Sequence, residues 1–209
     1  GIDAATWLAQ AEASLAGMKN VTVLRRTTAF GYFPHNLVGL CERLTDHLAE
    51  PAPGAARERL WQLRAGEVVL ATGAIELPLV FPGNDRPGVM LAGAARAYLH
   101  RHGVSVGRRV VLVTGSDAAY AAALDLRAAG ATFPLIADTR ANPVGAAIEA
   151  ARAAGIEVLD SATVLGTRGR LGIRGVTVAS APGGNVGASR HIACDALLMS
   201  GGYTPSVHL

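Results

Sequence analysis

The sequence predicts an α/β protein in which a parallel sheet built from βαβ units adjoins an antiparallel β-meander. Three observations predict this. From Arg109 onward, apolar strand-like runs alternate with stretches of helical periodicity, the pattern of parallel strands joined by crossover helices. Before that, short runs rich in branched and aromatic residues are punctuated by Gly31, Pro34 and Pro51-Ala52-Pro53-Gly54, as consecutive antiparallel strands are. Finally, 50% of the 209 residues are hydrophobic and 17% are charged, which suits a packed core and not a disordered chain.

The elements follow in order. Trp7, Leu8, Ala11, Leu15 and Met18 recur at helical spacing, so residues 4–18 are expected to form an amphipathic helix that stops near Gly17 and Asn20. Strands are expected at 21–24, 28–33, 37–43 and 60–64, with 51–56 as a hairpin loop. The run 67–73 is continuously apolar and ends in a tight turn, which predicts a buried strand. Pro78, Pro82, Gly83, Asn84, Asp85, Pro87 and Gly88 make a stiff irregular crossing, after which 89–102 reads as helix and stops at Gly103.

Beyond a boundary near residue 105, strand (110–113), helix (118–129), strand (132–137), helix (144–154) and strand (157–159) give a Rossmann-like βαβαβ unit. Strands at 162–167 and 173–180 follow, then a turn at Pro182-Gly183-Gly184-Asn185 leading to His191-Ile192. The last predicted strand is 196–199, ending in Ser200-Gly201-Gly202. Three segments result: 1–105, 106–182 and 183–209.

Composition excludes several function classes. A net charge of +3 over this length makes no basic stripe, and the pairs Arg25-Arg26 and Arg108-Arg109 are isolated strand-end charges, so no nucleic-acid partner is expected. Cys41 and Cys194 lie far apart and outside any paired-thiol spacing, which argues for a reducing compartment, here the cytoplasm, and against a zinc ribbon. The longest apolar stretches contain Asp117, Asp125 and Arg127 and fall short of the roughly 20 residues a membrane span requires. The opening Gly1-Ile2-Asp3-Ala4 has neither a basic n-region nor an initiator Met and reads as a cut.

Ligands of such a sheet gather at the carboxyl ends of its strands, where helix N-termini attract phosphate. Here the first βα turn reads Thr114-Gly115-Ser116-Asp117-Ala118-Ala119, with Thr114, Ser116 and Ala119 where G-x-G-x-x-G has its glycines. Gly115 and Ser116 are the candidate dinucleotide contacts. The Ser116 side chain obstructs a pyrophosphate, however, and Asp117 is expected to cap the helix and repel an anion. The turn therefore reads either as a cofactor contact or as scaffold. Asp138 ends the second strand about 20 residues beyond Ala119, the offset at which an acid receives a ribose hydroxyl, though an Asp that merely starts a turn is also common. Thr72-Gly73 and Gly201-Gly202, each after a strand, let backbone pass close to a ligand.

His35 sits in a turn, and His100 and His102 point to different faces of a helix, so no metal site is expected. Ser116 lies outside G-x-S-x-G and neither cysteine has a nucleophile signature. No catalytic residue is identified. Redox chemistry would have to come from a bound cofactor.

The runs Val69-Leu70-Ala71-Thr72-Gly73-Ala74-Ile75-Glu76-Leu77-Pro78 and Asn84-Asp85-Arg86-Pro87-Gly88-Val89-Met90-Leu91-Ala92 closely resemble the alpha subunits of heterotetrameric sarcosine oxidases. So do Phe30-Gly31-Tyr32 with His35-Asn36, the run Glu42 to Leu48, Ala119-Tyr120 with Ala123 to Leu126, and Ser200-Gly201-Gly202-Tyr203 with Pro205 and Val207-His208-Leu209. The resemblance covers the whole chain and points to the two-dinucleotide-domain flavoprotein superfamily. It implies a middle slice of a much longer subunit, in which a Rossmann-like domain (106–182) is inserted into part of a second dinucleotide-binding domain (1–105, with a return strand in 183–209). It further implies NAD in this subunit, FAD and FMN elsewhere in the complex, and oxidative demethylation of sarcosine or a similar amine with partner subunits. Thr72, Gly73, Gly201 and Gly202 then fall on strand ends flanking a dinucleotide, and the slice alone is expected to be inactive. The alternative is an assembly scaffold for partner subunits with no cofactor of its own. An independent NAD-dependent dehydrogenase would need the missing glycine motif.

Overall fold

The computed structural model describes residues 2–208; Gly1 and Leu209, at the outer ends of the first and last predicted segments, lie outside them. The chain forms two compact units, one running to Thr72 and including Val207 and His208, the other spanning Gly73–Ser206.

In the first unit, α1 (Ala4–Ala16) begins at Asp3, whose carboxylate accepts from the Ala5 and Thr6 amides at 3.0 Å each and so satisfies two N–H groups that the helix leaves open. The strands β1 (Thr27–Phe33), β2 (Leu37–Arg43) and β3 (Glu58–Arg64) form the expected antiparallel meander in the order β1-β2-β3. At the β1–β2 corner His35 and Asn36 adopt left-handed backbone, and the Asn36 side chain donates to the Gly66 carbonyl at 2.8 Å. His35 is thus part of a structural turn.

Two expected strands do not form. The segment 21–24 is irregular, because the Val21 amide turns back to the Met18 carbonyl at 3.2 Å. The run 67–72 also forms no strand, and Val69 is 87% exposed. A continuous apolar strand is stabilised by neighbours on both sides, and no strand flanks this run among the described residues.

The second unit starts with β4 (Ala74–Glu76), β5 (Val89–Leu91) and α2 (Ala92–His102). Residues 89–91, expected to open the helix, are a strand because they lie beside a distant partner. The βαβαβ pattern then appears as expected: β6 (Arg109–Thr114), α3 (Ala118–Ala128), β7 (Thr132–Asp138), α4 (Ala146–Ala153) and β8 (Val158–Leu159). β9 (Ala162–Arg168), β10 (Gly175–Ser180), a single 3-10 turn at Pro182–Gly184 and β11 (Ser189–Ala193) make an antiparallel sheet in the order β11-β10-β9. Finally β12 (Ala196–Ser200) and β13 (Tyr203–Pro205) complete the described strands, with β13 pairing antiparallel to β4.

The parallel sheet has the order β5-β12-β6-β7-β8, so it draws strands from all three predicted segments. Period-two alternation sorts its side chains onto two faces. Val110, Leu112, Ile136, Ala196 and Leu198 pack under the three helices with Tyr120, Leu126 and Ile148. Val111, Val113, Leu135, Leu197 and Met199 face Val164, Val176 and Val178 of the antiparallel sheet. The unit is therefore layered helix, parallel sheet, antiparallel sheet.

Candidate functional site

The carboxyl edge of the parallel sheet carries three polar residues in one row. Ser200, Thr114 and Asp138 stand side by side in the register of β12, β6 and β7, and all three are fully buried. From Thr114 the chain turns into α3, and the first two amides of this turn bond to neighbouring groups. The Gly115 amide donates to the Ser200 carbonyl at 3.0 Å. The Ser116 amide donates to Thr114 Oγ1 at 2.9 Å, and that hydroxyl donates back to the Ser116 carbonyl at 3.0 Å. A Cβ at Gly115 would stand 2.9 Å from Thr139 Oγ1, so the close approach of the next loop accounts for the glycine.

Asp117 does not cap α3 as expected. Its side chain makes no cap hydrogen bond, and its Oδ1 accepts from Arg140 Nη1 at 2.7 Å instead. An available guanidinium outcompetes the helix amides for this carboxylate, because both partners are charged.

Asp138, singled out by spacing, ends β7 where expected. Its Oδ1 accepts from the Arg140 amide at 2.9 Å and from Arg140 Nε at 3.0 Å. Its Oδ2 accepts from Arg140 Nη2 at 2.8 Å and from the Tyr120 hydroxyl at 2.7 Å. Four donors fill the four acceptor positions of a carboxylate. Burial pushes the Asp138 carboxyl up, but the hydrogen bonds from Arg140 and Tyr120 outweigh it and hold the group below its ordinary value. Burial, then the bond to Asp138, pushes Tyr120 up, and the bond to Asp138 raises Arg140 further. Tyr120 and Arg140 were not predicted as site residues. The available signals were a lone tyrosine in an alanine-rich helix and an arginine two residues past a strand-ending acid.

The glycine candidates lie on the β4–β13 ladder. The Ser206 amide donates to the Gly73 carbonyl at 2.9 Å at one end. At the other, the Leu77 amide donates to the Gly202 carbonyl at 2.9 Å and the Gly201 amide to the Leu77 carbonyl at 2.7 Å. The two ends are roughly 13 Å apart at strand rise. Gly73 (φ +75°) and Gly202 (φ +97°) take backbone that side chains avoid, and nothing stands within 4 Å of where their Cβ atoms would be. Gly201 is different: a Cβ there would lie 3.2 Å from the Leu77 carbonyl and 3.3 Å from that of Pro78, so its glycine serves packing. Thr72 is exposed and precedes this ladder.

Elsewhere, His100 Nε2 and Arg96 Nε meet Asp125 Oδ2 at 2.7 and 2.6 Å, a surface ion-pair cluster on α2 and α3. Burial raises the Asp125 carboxyl, and its bonds to His100 and Arg96 bring it below the ordinary value. Among the described residues no three His, Cys, Asp or Glu side chains are grouped to hold a metal, and no helix is long and apolar enough to cross a membrane.

No family model matches the chain. It is 44% identical over 201 residues to the sarcosine oxidase alpha subunit of Rhizobium meliloti (strain 1021), covering 93% of this chain and 19% of that protein. It is 41% identical over its full length to the corresponding subunit of Corynebacterium sp. (strain P-1), covering 22% of it. It also matches an opine oxidase subunit of Agrobacterium tumefaciens (strain Ach5), 38% identical over 46% of this chain and 18% of that protein. The chain thus spans about a fifth of the sarcosine oxidase subunits it matches.

Among solved structures it is similar in fold to the bacillithiol disulfide reductase of Bacillus cereus (TM-score 0.60, 15% identity, 96% of this chain and 57% of that one). It is similar likewise to the NAD-dependent persulfide reductase of A. fulgidus (TM-score 0.58, 16% identity, 93% and 34%). These likenesses establish a mixed α/β fold shared with those two reductases.

Proposed function

Because this chain is homologous along its length to a segment of sarcosine oxidase alpha subunits, we propose that it is a dinucleotide-binding part of an oxidoreductase subunit. The parent complex would act in the cytoplasm, with partner subunits, on sarcosine or a similar secondary amine. The observation that carries the reading is the identity of 44% over 93% of the chain, far above the level at which only a fold is shared. The cofactor class is a dinucleotide: NAD at this subunit, with FAD and FMN held elsewhere in the complex. When bound, it supplies the two-electron chemistry for which this chain has no side-chain set.

Within the chain, the backbone at Gly73 and Gly202 is the part best suited to lie against such a cofactor, because both positions lack a Cβ and have open space beside them. Thr72 and Gly201 adjoin them in sequence. The amides of Gly115 and Ser116 and the carboxylate of Asp138 are already taken by neighbouring groups and serve the scaffold instead. The second reading, an assembly scaffold with no cofactor of its own, is favoured by that same saturation.

Calorimetric titration of the chain with NAD, and separately with FAD, decides between the two. Binding that is lost in Gly202→Val supports the cofactor reading. No heat with either dinucleotide at millimolar concentration leaves the scaffold.

A further inference from the structure

Asp138, Arg140, Asp117 and Tyr120 form one closed network at the place where a parallel nucleotide-binding sheet presents its ligand groups. We propose that Arg140 is an internal ligand that shuts the β6–β7 edge to nucleotides, taking both the carboxylate that a ribose would use and the acidic side chain of the β6–α3 turn. This inference rests on the reading that a dinucleotide is bound on the Gly73–Gly202 side, and it specifies which edge of the unit is barred to it.

The chemistry is one of competition for the same atoms. A ribose diol needs carboxylate acceptors, and all four acceptor positions of Asp138 are filled by the Arg140 amide, its Nε and Nη2, and the Tyr120 hydroxyl. Of the amides a pyrophosphate would use at the turn, those of Gly115 and Ser116 are given to the Ser200 carbonyl and the Thr114 hydroxyl, which leaves only those of Asp117 and Ala118 at the start of α3. A ribose 2′-phosphate needs a free guanidinium, and Nε, Nη1 and Nη2 of Arg140 all face carboxylates. Arg140 is therefore a specificity-determining residue of exclusion, reaching across from the end of β7 to the start of α3.

The test follows Asp138 directly. Carboxyl-detected NMR of the wild-type chain is recorded during titration with ADP-ribose. The Asp138 carboxyl, the Tyr120 ring and the Ser116 amide are expected to stay unmoved at millimolar ligand. Saturable movement of these three signals overturns the proposal. In Arg140→Gln the Asp138 titration midpoint is expected to rise, since burial then acts with fewer opposing donors, and Arg140→Lys is expected to restore part of the shift. The groups facing the carboxyl in that titration are Tyr120 and residue 140, with Asp117 paired to Arg140 and Arg152 acting on Tyr120. An unchanged midpoint in both variants overturns the proposal, and should Arg140→Gln fail to fold, the lysine variant and the ADP-ribose titration still decide it.

NAD affinity, where measured, should change by no more than about twofold in Arg140→Lys, as separated sites act independently. If the chain binds no dinucleotide at all while Asp138 behaves as described, the proposed function fails and the internal ligand stands. If ADP-ribose moves Asp138 and Ser116, the internal ligand fails and the proposed function stands.

Discussion

A buried carboxylate with four donors is a sensitive place to remove one of them. Tyr120→Phe deletes the hydroxyl that donates to Asp138 Oδ2 and is expected to destabilise the fold by about 1–3 kcal/mol, read by urea unfolding. The pH dependence has a definite sign. Asp138 has a folded-state pKa below its ordinary value of 3.8, so its contribution is complete at neutral pH and is lost as pH falls below that value. Tyr120 is shifted the other way, so its contribution is present below the ordinary value of 10.0 and is lost as pH rises past it. Asp138→Asn should flatten the acid limb of a stability–pH curve measured from pH 7 to 2; an unchanged acid limb would place the acid sensitivity in other carboxylates. Sequence spacing drew attention to Asp138 at the end of its strand, but not to the row that it forms with Thr114 and Ser200. Arg140 is a local neighbour of Asp138, but its link to Asp117 and that of Tyr120 to Asp138 span about 20 residues and exist only once β7 and α3 are side by side. Gly202 illustrates the opposite case, in which a glycine after a strand announces itself. Gly202→Val is expected to cost about 1–3 kcal/mol from backbone strain alone, measured by thermal unfolding, in addition to its effect on binding.

At the level of elements, the parallel sheet behaves as one packed layer. Leu112 and Leu198 lie on the same face of adjacent strands and are fully buried, so Leu112→Ala or Leu198→Ala should cost about 2–5 kcal/mol by denaturant unfolding. Leu60→Ala on the exposed meander should stay within about 0.5 kcal/mol, and a larger loss would show that Leu60 is covered. The helices and strands of the βαβαβ run were legible because each is amphipathic or apolar within a dozen residues. β5 was not, since Val89–Leu91 reads as the start of α2 until β12 lies alongside it. The run 67–72 failed for the converse reason: its composition calls for a neighbour that the described residues do not provide. Local pattern specifies a strand's character, and a partner distant in sequence decides whether it forms.

For the chain as a whole, core quality differs between the two units. In the unit that runs to Thr72, Val38 is the one buried large apolar side chain among the described residues, whereas the unit Gly73–Ser206 holds two apolar clusters on either side of its sheet. Amide hydrogen exchange should therefore find β1, β2 and β3 protected far less than β6, β7 and β12, since opening free energies track buried apolar contact. Equal protection in both sets would contradict this.

The placement of β12 has a consequence for biosynthesis. It is the strand between β5 and β6, yet it is translated after everything else in that sheet. At ordinary elongation rates, the hundred or so residues between β5 and β12 take about 5–20 s to leave the ribosome. Throughout that interval the β6–β7–β8 segment can collapse around its helices while one edge of β6, the backbone of Arg109, Val111 and Val113, stays unpaired and templated for any strand that arrives first. The nascent chain thus carries an open seam whose correct closure depends on the last strand of the sheet to be made.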